Sequence, residues 1–152
     1  MDYIKTKIIS ALIIAAVFFT VLFTVILNKK HERYILFFKN SFNSEIEAEI
    51  RYLPKQNTKP EEAAFMEELA LGPVNHDLYS FINPKFKLIS CFSKEGILHV
   101  NFPENMLENI KEGFDSDDIA MLLQKNIFTN LKHINEAVIY IEGKEIYKLS
   151  KK

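Results

Sequence analysis

The chain has 152 residues, 19 of them basic and 20 acidic, for a formal net charge of −1. Five of the basic residues and two of the acidic ones precede Tyr34, which leaves the remainder at 14 against 18, a net of −4. An acidic balance without a basic stripe excludes nucleic acid, whose binders need a positive footprint, and the single cysteine, Cys91, excludes an internal disulfide.

After a short tail, residues 1–7, comes Ile8–Leu27, twenty residues without a charge, whose polar side chains are Ser10, Thr20 and Thr24. As a helix it spans ~30 Å, about one hydrocarbon core. Its fourteen Ile, Leu, Val and Phe residues favour insertion by at most roughly 4–8 kcal/mol. The run ends Val25-Ile26-Leu27-Asn28-Lys29-Lys30 with no Ala-x-Ala-like site, so it reads as an uncleaved transmembrane anchor rather than a removed signal. Lys5 and Lys7 flank one end and Lys29, Lys30 and Arg33 the other. With flanks so nearly balanced, the positive-inside rule does not decide the orientation.

Residues 28–33 form a basic joint, and residues 34–152 are enough for one domain with its own core. Tyr34–Lys39 is a bulky β-branched and aromatic strand, followed by turn chemistry at residues 40–44. In Glu45–Leu53, Ile46, Ala48 and Ile50 alternate with Glu45, Glu47, Glu49 and Arg51, which predicts a hairpin partner with a wet charged face. Thr58 and Glu61 around Pro60 predict a capping box opening a helix. Its inward set is Ala63, Ala64, Met66 or Phe65, Leu69 and Ala70, and its four glutamates, Glu61, Glu62, Glu67 and Glu68, form a solvated face. Gly72-Pro73 ends it.

Val74–Asn83 reads as a loop, and Lys85–Ser93 with Ile97–Phe102 as a hairpin about Lys94-Glu95-Gly96. Pro103-Glu104-Asn105 opens a short helix around Met106, Leu107 and Ile110, and residues 113–118 form a turn. Ile119, Leu122, Leu123, Ile127 and Leu131 then make one apolar stripe on the longest helix after the anchor, with Asp115, Asp117 and Asp118 favouring its N-terminus. A last hairpin joins Ala137–Glu142 to Glu145–Leu149.

The chemistry of catalysis is missing from this pattern. His31, His76, His99 and His133 are scattered, with no i, i+4 pair for zinc. His76-Asp77 lacks a Gly-x-Ser-x-Gly elbow. Asp115–Asp118 begins like a calcium loop, but its sixth and twelfth positions are Ala120 and Asn126. Cys91 reads as a buried small apolar group. No catalytic, metal or cofactor-binding residue is assigned, and none of these groups is expected.

The ordered elements resemble the GerMN domain family of spore germination and sporulation proteins. The resemblance rests on Ile35-Leu36-Phe37-Phe38, the strand ending Glu49-Ile50-Arg51, and Leu69-Ala70-Leu71-Gly72-Pro73, similar to the family's Leu-Leu-x-Gly-Pro signature. Pro84, Val100-Asn101-Phe102, the helix Ile119–Leu131 and Val138–Gly143 follow in the family's order, although Asn101 and Glu142 replace its usual aspartates and Pro103 its common serine. The resemblance covers residues 34–149. It implies an α+β domain, a small mixed sheet with two or three helices on one face, similar to ring-building modules. It also implies a non-enzymatic envelope protein held in the cytoplasmic membrane by one helix, with its domain outside the cytoplasm. Its expected contacts are other envelope proteins, other copies of itself, or cell-wall material. The alternative expectation is a sensor for wall fragments using Val74–Asn83.

Overall fold

A computed structural model describes residues 2–27, 31–55, 58–83, 87–108 and 114–151, with side chains in the first helix at Lys7 and over residues 11–24. The joint residues Asn28–Lys30, Pro84, Ile110 and the Gly113 start of the predicted turn lie outside these ranges. The chain divides into two compact units, one formed by Met1–Glu32 with Leu53–Lys55 and the other by the rest.

The first unit contains helix α1, Asp2–Leu27, which includes the whole apolar run. The Thr20 hydroxyl donates to the Ala16 and Val17 carbonyls at 3.0 and 2.8 Å, and Thr24 repeats this with Thr20 and Val21. Among the described residues no helix is long and apolar enough to cross a membrane. The continuous described stretch of α1 side chains, residues 11–24, rises ~21 Å, short of a ~30 Å core. The span expected over Ile8–Leu27 is therefore not established by the described residues.

Among the described residues the strands form two sheets where one was expected. The first sheet has the order β2-β1-β3, built from β1 (His31–Asn40), β2 (Ile46–Pro54) and the two-residue β3 (Leu78–Tyr79). Strand β1 starts three residues earlier than the aromatic run predicted, inside the supposed joint. Its partner β3 is short and pairs only with Lys39 and Asn40, so the same edge of β1 at Ile35 and Phe37 needs other partners. Two asparagines of helix α3 (Ser116–Asn130) supply them. Asn126 accepts from Phe37 N–H at 2.9 Å and donates to its carbonyl at 2.9 Å, and Asn130 does the same for Ile35 at 2.8 and 2.8 Å. One helical turn rises ~5–6 Å and two strand residues ~6.6 Å, so residues i and i+4 of a helix can serve residues i and i−2 of a strand.

The second sheet has the order β4-β5-β6-β7: β4 (Ser90–Lys94), β5 (Ile97–Phe102), β6 (Glu136–Ile141) and β7 (Lys144–Ser150). The outer pairs are antiparallel hairpins, while β5 and β6 run parallel. A parallel pair needs a long crossover, and a short 3-10 helix (Glu104–Leu107) and α3 provide it. Glu95-Gly96 and Glu142-Gly143 both hold positive φ, the two-residue turn that suits the strands' own twist.

The predicted stripe of α3 is fully realised, with Ile119, Leu122, Leu123, Ile127 and Leu131 all buried. Asp115 caps the helix by accepting from Asp118 N–H at 2.7 Å. Helix α2 (Glu61–Ala70) buries Phe65, Met66, Leu69 and Ala70, and the Phe65 ring lies 5.5 Å from that of Tyr34 on β1. The predicted capping box does not form: Pro60 occupies the cap position, and no side chain bonds there. The Val74–Asn83 segment is tied into the core, with Phe81 and Ile82 buried and Phe81 6.3 Å from Phe38.

Candidate functional site

Strand β2 reverses the expected polarity. The period-two pattern sorts its residues correctly into two sets, yet the charged set faces inward and the apolar set faces out. Ile50 is 50% exposed and Tyr52 65%, and Ala48 is exposed with them. The side chains of Glu49 and Arg51 are 16% and 10% exposed.

The inward charges survive because every one is answered. Arg51 donates to the Glu49 carboxylate from Nε at 2.6 Å, to Glu68 Oε1 at 2.7 Å, and to the Gly72 carbonyl at 2.6 Å. Glu49 in turn accepts the N–H groups of Val74 and Asn75 at 3.0 and 3.1 Å. Burial alone would raise the Glu49 carboxyl, but the bonds from Asn75, Arg51 and Val74 outweigh it and hold it below the usual carboxylate range. This clasp gives the Leu69–Pro73 motif its physical meaning. Gly72 sits at φ +80 and donates to the Leu69 carbonyl at 3.1 Å. A Cβ there would meet the Ser80 side chain at 3.2 Å, so glycine both turns the chain and leaves room for Ser80.

Glu49, Ile50, Arg51, Val74 and Asn75 line a shallow, open groove along β2. Val74 is 73% exposed on its rim. The loop's other apolar residues, Leu78, Phe81 and Ile82, fill the core instead of lining a ligand cavity.

A second cluster was not visible in the sequence. Glu62 is buried, against its expected place on a solvated face, and its Oε1 accepts from the Ser93 hydroxyl at 2.6 Å and meets His133 Nε2 at 2.9 Å. Burial raises this carboxyl, but the Ser93 and His133 bonds bring it below the ordinary range. The carboxylate lies between hydroxyl and imidazole, whereas a nucleophilic serine needs the imidazole next to it. The cluster joins α2, β4 and the turn after α3. Cys91, half-buried nearby, has its thiol pushed up to about 12 by burial and by Glu62 and Glu67, so it stays protonated at neutral pH. Of the remaining glutamates, Glu67 pairs with Lys59 at 2.6 Å and Glu68 with Arg51.

The other residues weighed from the sequence stand apart. His76 and Asp77 are exposed, and the Asp77 backbone is used by Ser41 and Asn75. His99 stacks between Phe92 and Tyr140, with ring centroids 5.0 and 6.1 Å apart, across the outer face of the second sheet. Among the described residues no three His, Cys, Asp or Glu side chains converge as a metal site.

A family model described as Germane, sporulation and spore germination, matches residues 35–147. The tandem GerMN domains of the sporulation protein GerM from Bacillus subtilis superpose with a TM-score of 0.56 at 15% identity, covering 82% of this chain and 46% of that one. This chain thus spans about half the length of that tandem-domain chain. The first GerMN domain of the same protein gives 0.55 at 15% identity, covering 76% and 86%. Comparison with curated proteins finds no match. The chain belongs to the Germane family, with a mixed α+β fold similar to GerMN domains; among the described residues it has two sheets, with α2 and α3 inside the matched range and α1 ahead of it.

Proposed function

We propose that this Germane-family chain is a non-enzymatic assembly module, held at the cytoplasmic membrane by α1, with its GerMN domain outside the cytoplasm. The observation that carries this reading is the uncharged run Ile8–Leu27 lying inside one continuous helix just ahead of the family domain. Its Thr20 and Thr24 hydroxyls are already bonded to helix carbonyls, so they add little cost at apolar depth. Strand β1 begins at His31, only a few residues beyond Leu27, which keeps the domain close to any bilayer that α1 enters. The clasped groove and the apolar outer face of β2 supply a contact surface, while the titratable clusters serve to hold elements together. Other envelope proteins, further copies of this chain, or wall material are the partners this surface is read as meeting.

The test is made in cells that express the full chain. Alkaline carbonate should leave it in the membrane fraction, and release into the supernatant would remove the anchor. A Lys94→Cys variant should react with an impermeant maleimide in intact protoplasts. Labelling only after membrane disruption would place the domain on the cytoplasmic side.

A further inference from the structure

Among the described residues β2 ends its sheet, and its backbone shows which residues face the open side. The hairpin closes with Asn40 N–H donating to the Glu45 carbonyl at 2.7 Å. Antiparallel alternation then turns the groups of residues 47, 49 and 51 toward β1, and those of Ala48, Ile50 and Tyr52 away from it. The residues with free-edge N–H and C=O groups are thus the ones whose apolar side chains stand in solvent.

Charge selects what can pair there. A copy of β2 laid antiparallel about a two-fold axis at Glu49 opposes Glu49 to Glu49. An axis at Ala48 opposes Glu47 to Glu49, and one at Arg51 opposes Arg51 to itself. Like charges directly opposite are destabilising. An axis at Tyr52 shortens the overlap within β2 to residues 50–54, whereas an axis at Ile50 uses the whole strand and leaves Pro54, which has no N–H, only at the two ends opposite Ile46. An axis at Ile50 sets Glu49 against Arg51 twice, at the close non-hydrogen-bonded positions. On the outer face it sets small Ala48 against large Tyr52 twice, with Ile50 against Ile50. An isologous contact requires self-complementarity of this kind.

We propose that β2 pairs with β2 of a second copy, antiparallel and centred on Ile50, joining two three-stranded sheets into one of six. The inference rests on the assembly reading above and names its partner. A contact of one short strand pair is small beside standard interfaces, so confinement of both copies to one membrane supplies the effective concentration it needs.

The test uses the full chain in membrane vesicles, with single cysteines introduced into a Cys91→Ala background. Hydrogen-bonded opposite residues have Cα atoms ~5.5 Å apart, within disulfide range. Ile50→Cys should give a disulfide dimer under mild oxidation, at a yield at least tenfold above Lys148→Cys on β7. Ala48→Cys and Tyr52→Cys should cross-link efficiently only when the two variants are mixed. Ile50→Lys should abolish pairing in the mixed assay and leave the thermal midpoint unchanged. Equal yields at positions 50 and 148, or self-cross-linking of Ala48→Cys as strong as the mixture, would overturn the proposal. Capture of a different membrane protein at Ile50→Cys would overturn self-pairing and leave the assembly reading intact. Cytoplasmic labelling of Lys94→Cys would instead sink the extracytoplasmic placement, whatever cross-links are found.

Discussion

The two sheets end in edges that are treated in opposite ways. Strand β7, the last of the second sheet, carries Lys144 and Lys148 in solvent, with Lys148 paired to Glu136 at 3.4 Å. A register shift at Ile139/Tyr140 also breaks its pairing. Exposed lysines and bulges are standard ways to keep an edge from adding a strand. Strand β2 carries neither lysine nor an outward charge between Ala48 and Tyr52, and shows solvent an apolar face over a clasped, rigid support. Both strands are equally edge strands, so the contrast comes from side chains alone. It teaches that an edge can be made available without being loose: the charges that might have blocked it are used to hold it in place.

The strongest way to break the contrast is to remove the clasp. Arg51→Ala leaves Glu49 and Glu68 without their cation beside the Gly72 carbonyl, and should cost about 3 kcal/mol. A fall in the urea midpoint measures it, and an unchanged midpoint would mean that the clasp is ornamental. Asn126→Ala comes next. It strands the N–H and C=O of Phe37, and should cost about 2 kcal/mol, read by the same titration. Asn126→Leu, of similar volume, should not restore the loss.

Acid tests the inward carboxylates. Glu49 and Glu62 have folded-state values below the ordinary glutamate value of 4.5, so the folded state favours their ionised forms. Their contribution is complete above 4.5 and is lost as pH falls through the depressed folded values. Stability measured from about pH 7 to about pH 3 should decline on that acid limb, and a Glu49→Gln/Glu62→Gln variant should show a flatter one. The smallest effect belongs to the exposed edges. Tyr52→Lys and Lys148→Ala should each move stability by less than about 0.5 kcal/mol. Only Tyr52→Lys should reduce association, which sharpens the difference between the edges without disturbing the fold.

Legibility followed the range of the forces involved. The α3 stripe, its Asp115 cap, both glycine turns and the Gly72 stop were readable, because each depends on residues within a few positions. The Thr58–Glu61 capping box was equally local and still failed, since Pro60 took the cap position. For β2, alternation named the two faces correctly and assigned them to the wrong sides. Period two says which residues share a face, and whether charges may turn inward depends on what waits there. In this protein Glu68 and Gly72 wait for Arg51, 17 and 21 residues on.

By itself, then, the sequence determined the order and type of nearly every element, the apolar run of α1 and the family to which the domain belongs. The elements and the apolar run follow from periodicity and turn residues, which act within a few positions, and the family from the match of residues 35–147 to its model. Tertiary structure decided that there are two sheets, that Asn126 and Asn130 complete the edge of β1 from 89 and 95 residues away, and that Glu62 meets Ser93 and His133. It also decided which face of β2 meets water. A buried polar group is tolerable only where its partner stands, and these partners are brought together by the fold rather than by the chain.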